Sequence, residues 1–420
     1  MNRHGALAAF LGVSLLSIEP AFAATAPLRI AETELEPMSF EQLDGWAAED
    51  HLAALSAFRS SCVAVRRRAE RRDAGRTRQE AKPIEQPLSA ACEMAAELGG
   101  NVGRLSARRF FEATFRPVRI SKLGERDGFL TGYYEPEVEG RRKPGDGFTV
   151  PMYRQPAELV AGAVKKKHAR MHGFPNHGKI GRRVGKKLVE YHDRAAIEDG
   201  ALKDRGLEIC WLRDPIDAFF IHIQGSARVR LEDGKILRLN YAAHNGHTYL
   251  AVGRVLADRG VVPRAEMTMD KIRAYFAEAP EEGREIMRMN RSFIFFREVT
   301  ELPPDAEAVG AQGLPLTRER SIAVDSAVHA YGTPFWIEAE LPIENENTMT
   351  LFRRLMLAQD TGSAIVGPAR ADVYFGAGID AGTIAGRLRH AGRFFMLVPR
   401  AIDPALGVEE VPLPPPRPKS

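Results

Sequence analysis

The sequence predicts a mainly β protein with interspersed helices: a β-barrel domain with accessory elements, preceded by a helical N-terminal region. Three observations carry this expectation. Residues from about 40 to 116 place apolar side chains at helical intervals. From Pro117 onward the texture changes to short alternating segments broken by Gly, Asp and Pro. Many short strands with interspersed helices suggest a β-barrel domain plus accessory elements. With 420 residues, 44% of them hydrophobic, the chain can bury one large core or two moderate ones, so two structural domains are expected.

The N-terminus has a basic residue, Arg3, then the apolar run "ALAAFLGVSLLSI", then "AFA" at Ala21 to Ala23. That order predicts a secretory signal peptide over residues 1–23. The run is short for a membrane span, which needs about 20 apolar residues. No cysteine stands at the cleavage site, and no later segment is apolar enough to cross a bilayer. An exported, periplasmic protein is expected, without a lipid anchor on an N-terminal cysteine. Helices are predicted in "FEQLDGWAAEDHLAALSAFRSSCVAV" and "SARRFFEATF", the latter stopped by Pro117. Between them "RRRAERRDAGRTRQEAKPIEQP" reads as a solvated helix end and loop rather than a nucleic-acid arm.

Strands are predicted in "GFLTGYYEPEVEG", "FTVPMYRQP", "DAFFIHIQGSARVRL" and "KILRLNYAA", the last two joined by the turn "EDG" at Glu232 to Gly234. Helices follow in "TYLAVGRVLADRG" and "MDKIRAYFAEAPEEGREIMRMN". Strands resume with "SFIFFREV", "SIAVD", "PFWIEAELP", "FRRLMLAQD", "ARADVYFG" and "RFFMLVP", with a helix over "IDAGTIAGRLRHAG". The tail, residues 401–420, ends in "VEEVPLPPPRPKS" and reads as disordered polyproline. There is no internal repeat.

A net charge of +4 is small against 59 basic and 55 acidic residues and says little about partners. The basic stretch Val164 to Lys187 reads either as a solvated loop or as a rim that attracts an acidic polymer. Of the three cysteines, Cys62 and Cys92 lie in the helical region, where an oxidising compartment allows a disulfide. Cys210, in "LEICWL", reads as a buried thiol. The cysteines lack metal-ligand spacing and a companion His, so no metal is expected, and no organic cofactor is implied.

The stretch "LMLAQDTGSAIVG" imitates the Asp-Thr-Gly loop of an aspartic protease. Such an enzyme needs two carboxylates sharing a proton, hence two loops in a long chain or a short chain that pairs with itself. This long chain has one. Asp360 instead belongs with Asp325 in "SIAVDS" and Asp372 in "ARADVYFG": three aspartates at strand ends or inside a strand of one β-rich region. Singly, each reads as a turn or capping residue. Together they can converge on one groove.

The ordered set "TGYYEP", "HIQGS", "NGHTY", "NRSFIFF", "GAQGLPLT", "AVDS", "AQDTGSAI", "ADVYFG" and "GRFFMLVP" resembles the membrane-bound lytic murein transglycosylase A family, including its C-terminal three-aspartate (3D) module. The resemblance runs from about Gly128 to Pro399. It implies a double-psi β-barrel from residues 119–136 plus 266–400, a smaller inserted β-domain over 137–265, a helical region over 24–118, and a substrate groove between the two β-domains. It implies cleavage of the β-1,4 bond between N-acetylmuramic acid and N-acetylglucosamine in peptidoglycan glycan strands, leaving a 1,6-anhydro end. Asp372 would act as the single acid and then base, with Asp360 and Asp325 supporting it. One carboxyl suffices because the internal C6 hydroxyl already sits beside C1, so neither a protein nucleophile nor a positioned water is needed. For binding, Tyr133 and Tyr134 are candidates to stack on sugars, only one of them outward-facing, with Thr131, Gln224 and Ser226 adding hydrogen bonds. Asn245 and His247 read as a turn and helix cap. Ser363 replaces a glycine common after "DTG". The alternatives are a non-catalytic peptidoglycan-binding protein and a hydrolytic glycosidase.

Overall fold

The computed structural model describes residues 28, 30–74, 81–162, 179–303 and 305–402. The signal-peptide expectation, nearly all of the tail and most of the basic stretch after Val164 lie outside the described residues.

The chain opens with strand β1 (Thr33–Pro37) and helices α1 (His51–Asp73), α2 (Glu85–Glu97) and α3 (Arg104–Thr114). Asp50 caps α1 by accepting from the Ala53 N–H. A disulfide joins Cys62 of α1 to Cys92 of α2, and the helices bury Trp46, Phe58, Phe110 and Phe111 in one cluster with Trp336 and Phe395 of the barrel. Helix α3 stops at Thr114, before Pro117; the proline lies inside strand β2 (Phe115–Lys122). The sequence expectation of Pro117 as the stop is corrected by three residues.

The following strands are β3 (Gly128–Glu135), β4 (Glu137–Arg141), β5 (Val150–Tyr153), β6 (Leu159–Gly162), β7 (Lys179–Val184), β8 (Lys187–Val189) and β9 (Glu208–Leu212). Helix α4 (Pro215–Gln224) leads to β10 (Ser226–Arg230) and β11 (Ile236–His244). Helices α5 (Val252–Asp258), α6 (Met269–Glu278) and α7 (Pro280–Met289) precede β12 (Ile294–Glu298). The last part holds β13 (Ser321–Val324), β14 (Pro334–Asn345), β15 (Thr348–Asp360), β16 (Arg370–Ala377), α8 (Gly378–Arg387) and β17 (Arg389–Pro399).

The first sheet runs β1-β2-β17-β14-β15-β13-β16-β3, and a further β17–β3 pairing closes its last six strands into a barrel. Strand β17 makes closure work by dividing its length. Arg389 to Gly392 pair with β3, whereas Phe394 to Pro399 pair with β2. The barrel interior is filled by Leu130, Tyr134, Ile322, Phe335, Met356, Val373 and Phe394, all buried. A second sheet, β12-β11-β10-β4-β9-β5, forms the inserted domain, and β6-β7-β8 a small third one.

Two sequence expectations change here. The segment "DAFFIHIQ" is helix α4, not a strand. Asp214 accepts from the Ile216 N–H, Pro215 takes the first turn and Gly225 ends the helix at φ 87°. The helix looked like a strand because it is buried on both sides. Ala218 and Ile221 face the second sheet's core, while Phe219 and Phe220 pack with α5, α6 and α7. The second correction concerns the boundary expected at residue 266. Strand β12 pairs with β11, so the inserted sheet reaches Glu298 and the barrel resumes at β13.

Candidate active site

Strand register places the candidate residues in one row. Thr131 of β3 pairs with Asp372 of β16, Asp372 with Ala323 of β13, and Ala323 with Asp360 of β15. Residues directly opposite across a sheet share a face. Here it is the outer face, since Leu130, Ile322 and Val373 point into the barrel core. Asp360 reaches the row only through a bulge. Ile322 pairs with Ala358 but Ala323 with Asp360, so Gln359 is the extra residue. Its amide is buried, and Oε1 accepts from the Ser321 hydroxyl. Bulges commonly re-aim a side chain in this way. Ala323, between the carboxylates, is too small to fill the space.

Asp372 is partly exposed. Its Oδ1 accepts a 2.6 Å hydrogen bond from the Thr131 hydroxyl, whose oxygen accepts one of 2.8 Å from Arg370 Nη2. Burial raises the Asp372 carboxyl above the usual range, with the Arg370 charge and the Thr131 hydroxyl pulling it back. Asp360 is held differently. Oδ1 accepts from the N–H groups of Ala311 (2.8 Å) and Thr361 (2.9 Å), and Oδ2 from the Tyr133 hydroxyl (2.9 Å). Burial nevertheless pushes its pKa up to about 6, the three donors opposing the rise and the Asp372 charge adding to it.

The structure does not bring Asp325 into this row. Its Oδ1 accepts from the Ala327 N–H and its Oδ2 from the Gly367 N–H, so it brackets two loops. Lys82, at the approach to α2, donates to the carbonyls of Ser326 and His329 and fastens the same turn to the helical region. The expectation that one of the paired tyrosines faces the sugar is corrected. Tyr133 and Tyr134 do point to opposite faces, but both faces are covered. Tyr134 lies in the barrel core, and Tyr133 is packed against Tyr374, Leu316 and Ile365. Gln224 gives its carbonyl oxygen to the Tyr134 N–H at 3.2 Å, and Ser226 is buried at the start of β10. Asn245 locks a turn, donating to the carbonyls of His192 and Arg291 and accepting from the N–H groups of His247 and Phe293.

Three side chains near Asp372 were not singled out in the sequence. Arg370 precedes it by two residues on the same face. Phe129 precedes Thr131 by two, is 39% exposed, and has the Arg370 guanidinium 5.3 Å from its ring centre. Strict alternation around "GFLTG" and "ARADVY" would have found both. Tyr249, of the inserted domain, has its phenol pushed up to about 12 by burial, with Arg194 pulling it back and the Asp372 charge adding. No local pattern links Tyr249 to residue 372.

Two family models match the chain: the MltA specific insert domain over residues 129–297 and the 3D domain over 320–398. The membrane-bound lytic murein transglycosylase A of Escherichia coli (strain K12) is 33% identical over 271 residues, 64% of this chain and 65% of that protein. The Vibrio cholerae protein of the same name is 32% identical, over 65% of this chain and 67% of its own length. The match thus spans about two thirds of these curated relatives. Among solved structures, a membrane-bound lytic murein transglycosylase from Agrobacterium tumefaciens superposes with a TM-score of 0.75 at 36% identity, covering 87% of this chain and 98% of its own. The E. coli MltA structure with bound chitohexaose gives a TM-score of 0.55 at 28% identity, covering 75% and 83%.

Proposed function

Since the chain belongs to the membrane-bound lytic murein transglycosylase A family, we propose that it is a lytic transglycosylase that cuts peptidoglycan glycan strands with Asp372 as acid and then base. Protonated Asp372 gives its proton to the glycosidic oxygen of the leaving N-acetylglucosamine. The bond from that oxygen to C1 of N-acetylmuramic acid breaks, the C6 hydroxyl closes on C1, and the Asp372 carboxylate takes the hydroxyl proton. The product carries a 1,6-anhydro ring, and no water is consumed. A relative that binds chitohexaose supports a glycan chain as the ligand.

The observation that carries this reading is the unequal treatment of the two carboxylates in the row. Asp372 has one oxygen held by Thr131 and a raised pKa, as a general acid requires. Asp360 has both oxygens engaged by three donors, a poor arrangement for a nucleophile or for activating water. A hydrolase needs a second working carboxylate. Intramolecular attack does not. Asp360 instead contributes negative charge toward the oxocarbenium-like transition state. Asp325 holds the loops beside it. Sugar stacking falls to Phe129, the exposed aromatic next to Asp372. The periplasm, where the wall lies, is the compartment this activity requires. Among the described residues no helix is long and apolar enough to cross a membrane.

Mass spectrometry of soluble products released from purified sacculi tests the proposal. Muropeptides with 1,6-anhydro ends are expected from the wild-type protein and none from Asp372→Asn, which should still bind sacculi. Reducing ends would mean a hydrolase. Firm binding without release would mean a wall-binding protein.

A further inference from the structure

We propose that Arg370 is a positioning residue for the acid/base step: it dictates the direction of the Thr131 hydroxyl and thereby fixes which oxygen of Asp372 carries the exchangeable proton. The inference rests on the role assigned to Asp372 above.

Arginine has only donors, whereas a threonine hydroxyl has one hydrogen and two lone pairs. With Arg370 Nη2 donating to Thr131 Oγ1 at 2.8 Å, that oxygen is committed as an acceptor there. Its single hydrogen then goes to Asp372 Oδ1, at 2.6 Å. Oδ1 must therefore present a lone pair, and the proton of the neutral acid sits on Oδ2. Arg370 is itself fixed, since Nη1 donates to the Ala371 carbonyl and the guanidinium lies over Phe129. Without Arg370 the hydroxyl is free to turn and accept from a proton on Oδ1. The acid would then divide between two forms, one with its proton tied up in the protein.

The other groups whose charge or proton bears on Asp372 leave Arg370 as the cation of this relay. Tyr133 donates to Asp360, and Tyr249 is a neutral phenol. Asp360 on β15 is the neighbouring acid, titrating near 6. Arg389, paired with Thr131 across β17, donates to the Arg264 carbonyl instead.

The test compares pH profiles of kcat and kcat/KM on solubilised glycan for the wild type, Arg370→Met, Arg370→Lys, Thr131→Val and the double variant Thr131→Val/Arg370→Met. Arg370→Met should lower plateau kcat by roughly tenfold or more with little change in KM, part of the roughly 10²–10⁴-fold that a placed acid contributes. Its alkaline limb should move to higher pH, because loss of the cation favours the neutral carboxyl. Arg370→Lys should return the limb and part of kcat. The double variant should have the plateau kcat of Thr131→Val alone. Additive losses, or an Arg370→Met profile like the wild type's, would overturn the proposal.

If Arg370→Met fails to fold, Arg370→Lys alone decides. A limb at the wild-type pH with lowered kcat supports the relay, and full wild-type kcat rejects it. A carbon-13 NMR titration of the Asp372 carboxyl needs no turnover. An upward shift in Arg370→Met supports the contact even if the wild type released no anhydro products, which would sink the reaction instead.

Discussion

Phe129 and Tyr133 stand four residues apart on one strand face, and their fates differ because of what covers each. Tyr133 lies under Leu316 and Ile365 and gives its hydroxyl to Asp360. Phe129 is open beside Asp372. Phe129→Ala should therefore raise KM for glycan several-fold and leave kcat within about twofold, as expected for an aromatic contact worth roughly 0.5–1.5 kcal/mol; initial rates against glycan concentration check this. Asp360 gives a stability prediction. Its pKa rises from an ordinary 3.8 to about 6 on folding, so the folded state binds this proton more tightly than the unfolded chain. Its favourable contribution is complete below pH 3.8 and lost as pH rises through about 6. Asp360→Asn keeps the shape: one oxygen can accept from Ala311 and Thr361, and the amide can donate to Tyr133. The variant should gain Tm relative to wild type above pH 6 and lose that advantage near pH 4, as thermal scans at both values would show, while its catalytic rate falls. At this scale motif resemblance pointed to Asp372, Asp360 and Thr131, which strand register brings into one row. It could not assign the tyrosines, because what lies above a strand is decided by a segment some 180 residues later in the chain.

Elements were legible wherever one face is polar. Strands β13 to β16 alternate or form short apolar runs bounded by turns, and they appear near where expected; β17 begins at Arg389, inside the stretch expected to be helical as far as Gly392, because Arg389 to Gly392 pair with β3. Helix α4 failed the same reading because period is lost when every side of a helix is buried. The cap and stop residues Asp214, Pro215 and Gly225 mark the helix despite its strand-like composition. The bulge at Gln359 had no local signature either, since a bulge is a property of two paired strands and only one is visible at a time. A close contact between elements yields a third prediction. Strand β3 meets helix α8 at Gly132, where a Cβ would fall 2.7 Å from Ala385 Cα. Because the obstacle is backbone, Gly132→Ala must push β3 and α8 apart, costing about 1–3 kcal/mol as other overpacked sites do. Thr131 is the adjacent residue, so kcat should fall with stability; denaturant melts and glycan assays on one preparation test the pairing.

For the whole molecule, the helical region acts as a brace behind the carboxylates. Ser61 on α1 donates to the Gln312 side chain at 2.7 Å, and Gln312 follows Ala311, a donor to Asp360. Lys82 secures the Asp325 turn. The Cys62–Cys92 disulfide holds α1 and α2 together between these two points, closing a sequence separation of 30. Replacing both cysteines by alanine should lower unfolding free energy by about 3–4 kcal/mol on loop-closure grounds, measured by urea melts of oxidised wild type and variant. With the brace loosened, activity should decline at temperatures below the global melt of the variant.

Closure of the barrel brings Arg389 to Gly392 alongside Gly128 to Thr131, segments from opposite ends of the described β-region. The consequence is one of timing. A nascent chain makes Thr131 early, Asp372 late and the strand that seals the barrel after both, so the barrel around the row cannot close until synthesis has passed β17. Partial chains that stop before β17 lack the seam along Gly128 to Thr131: the hoop stays open until its closing strand is delivered.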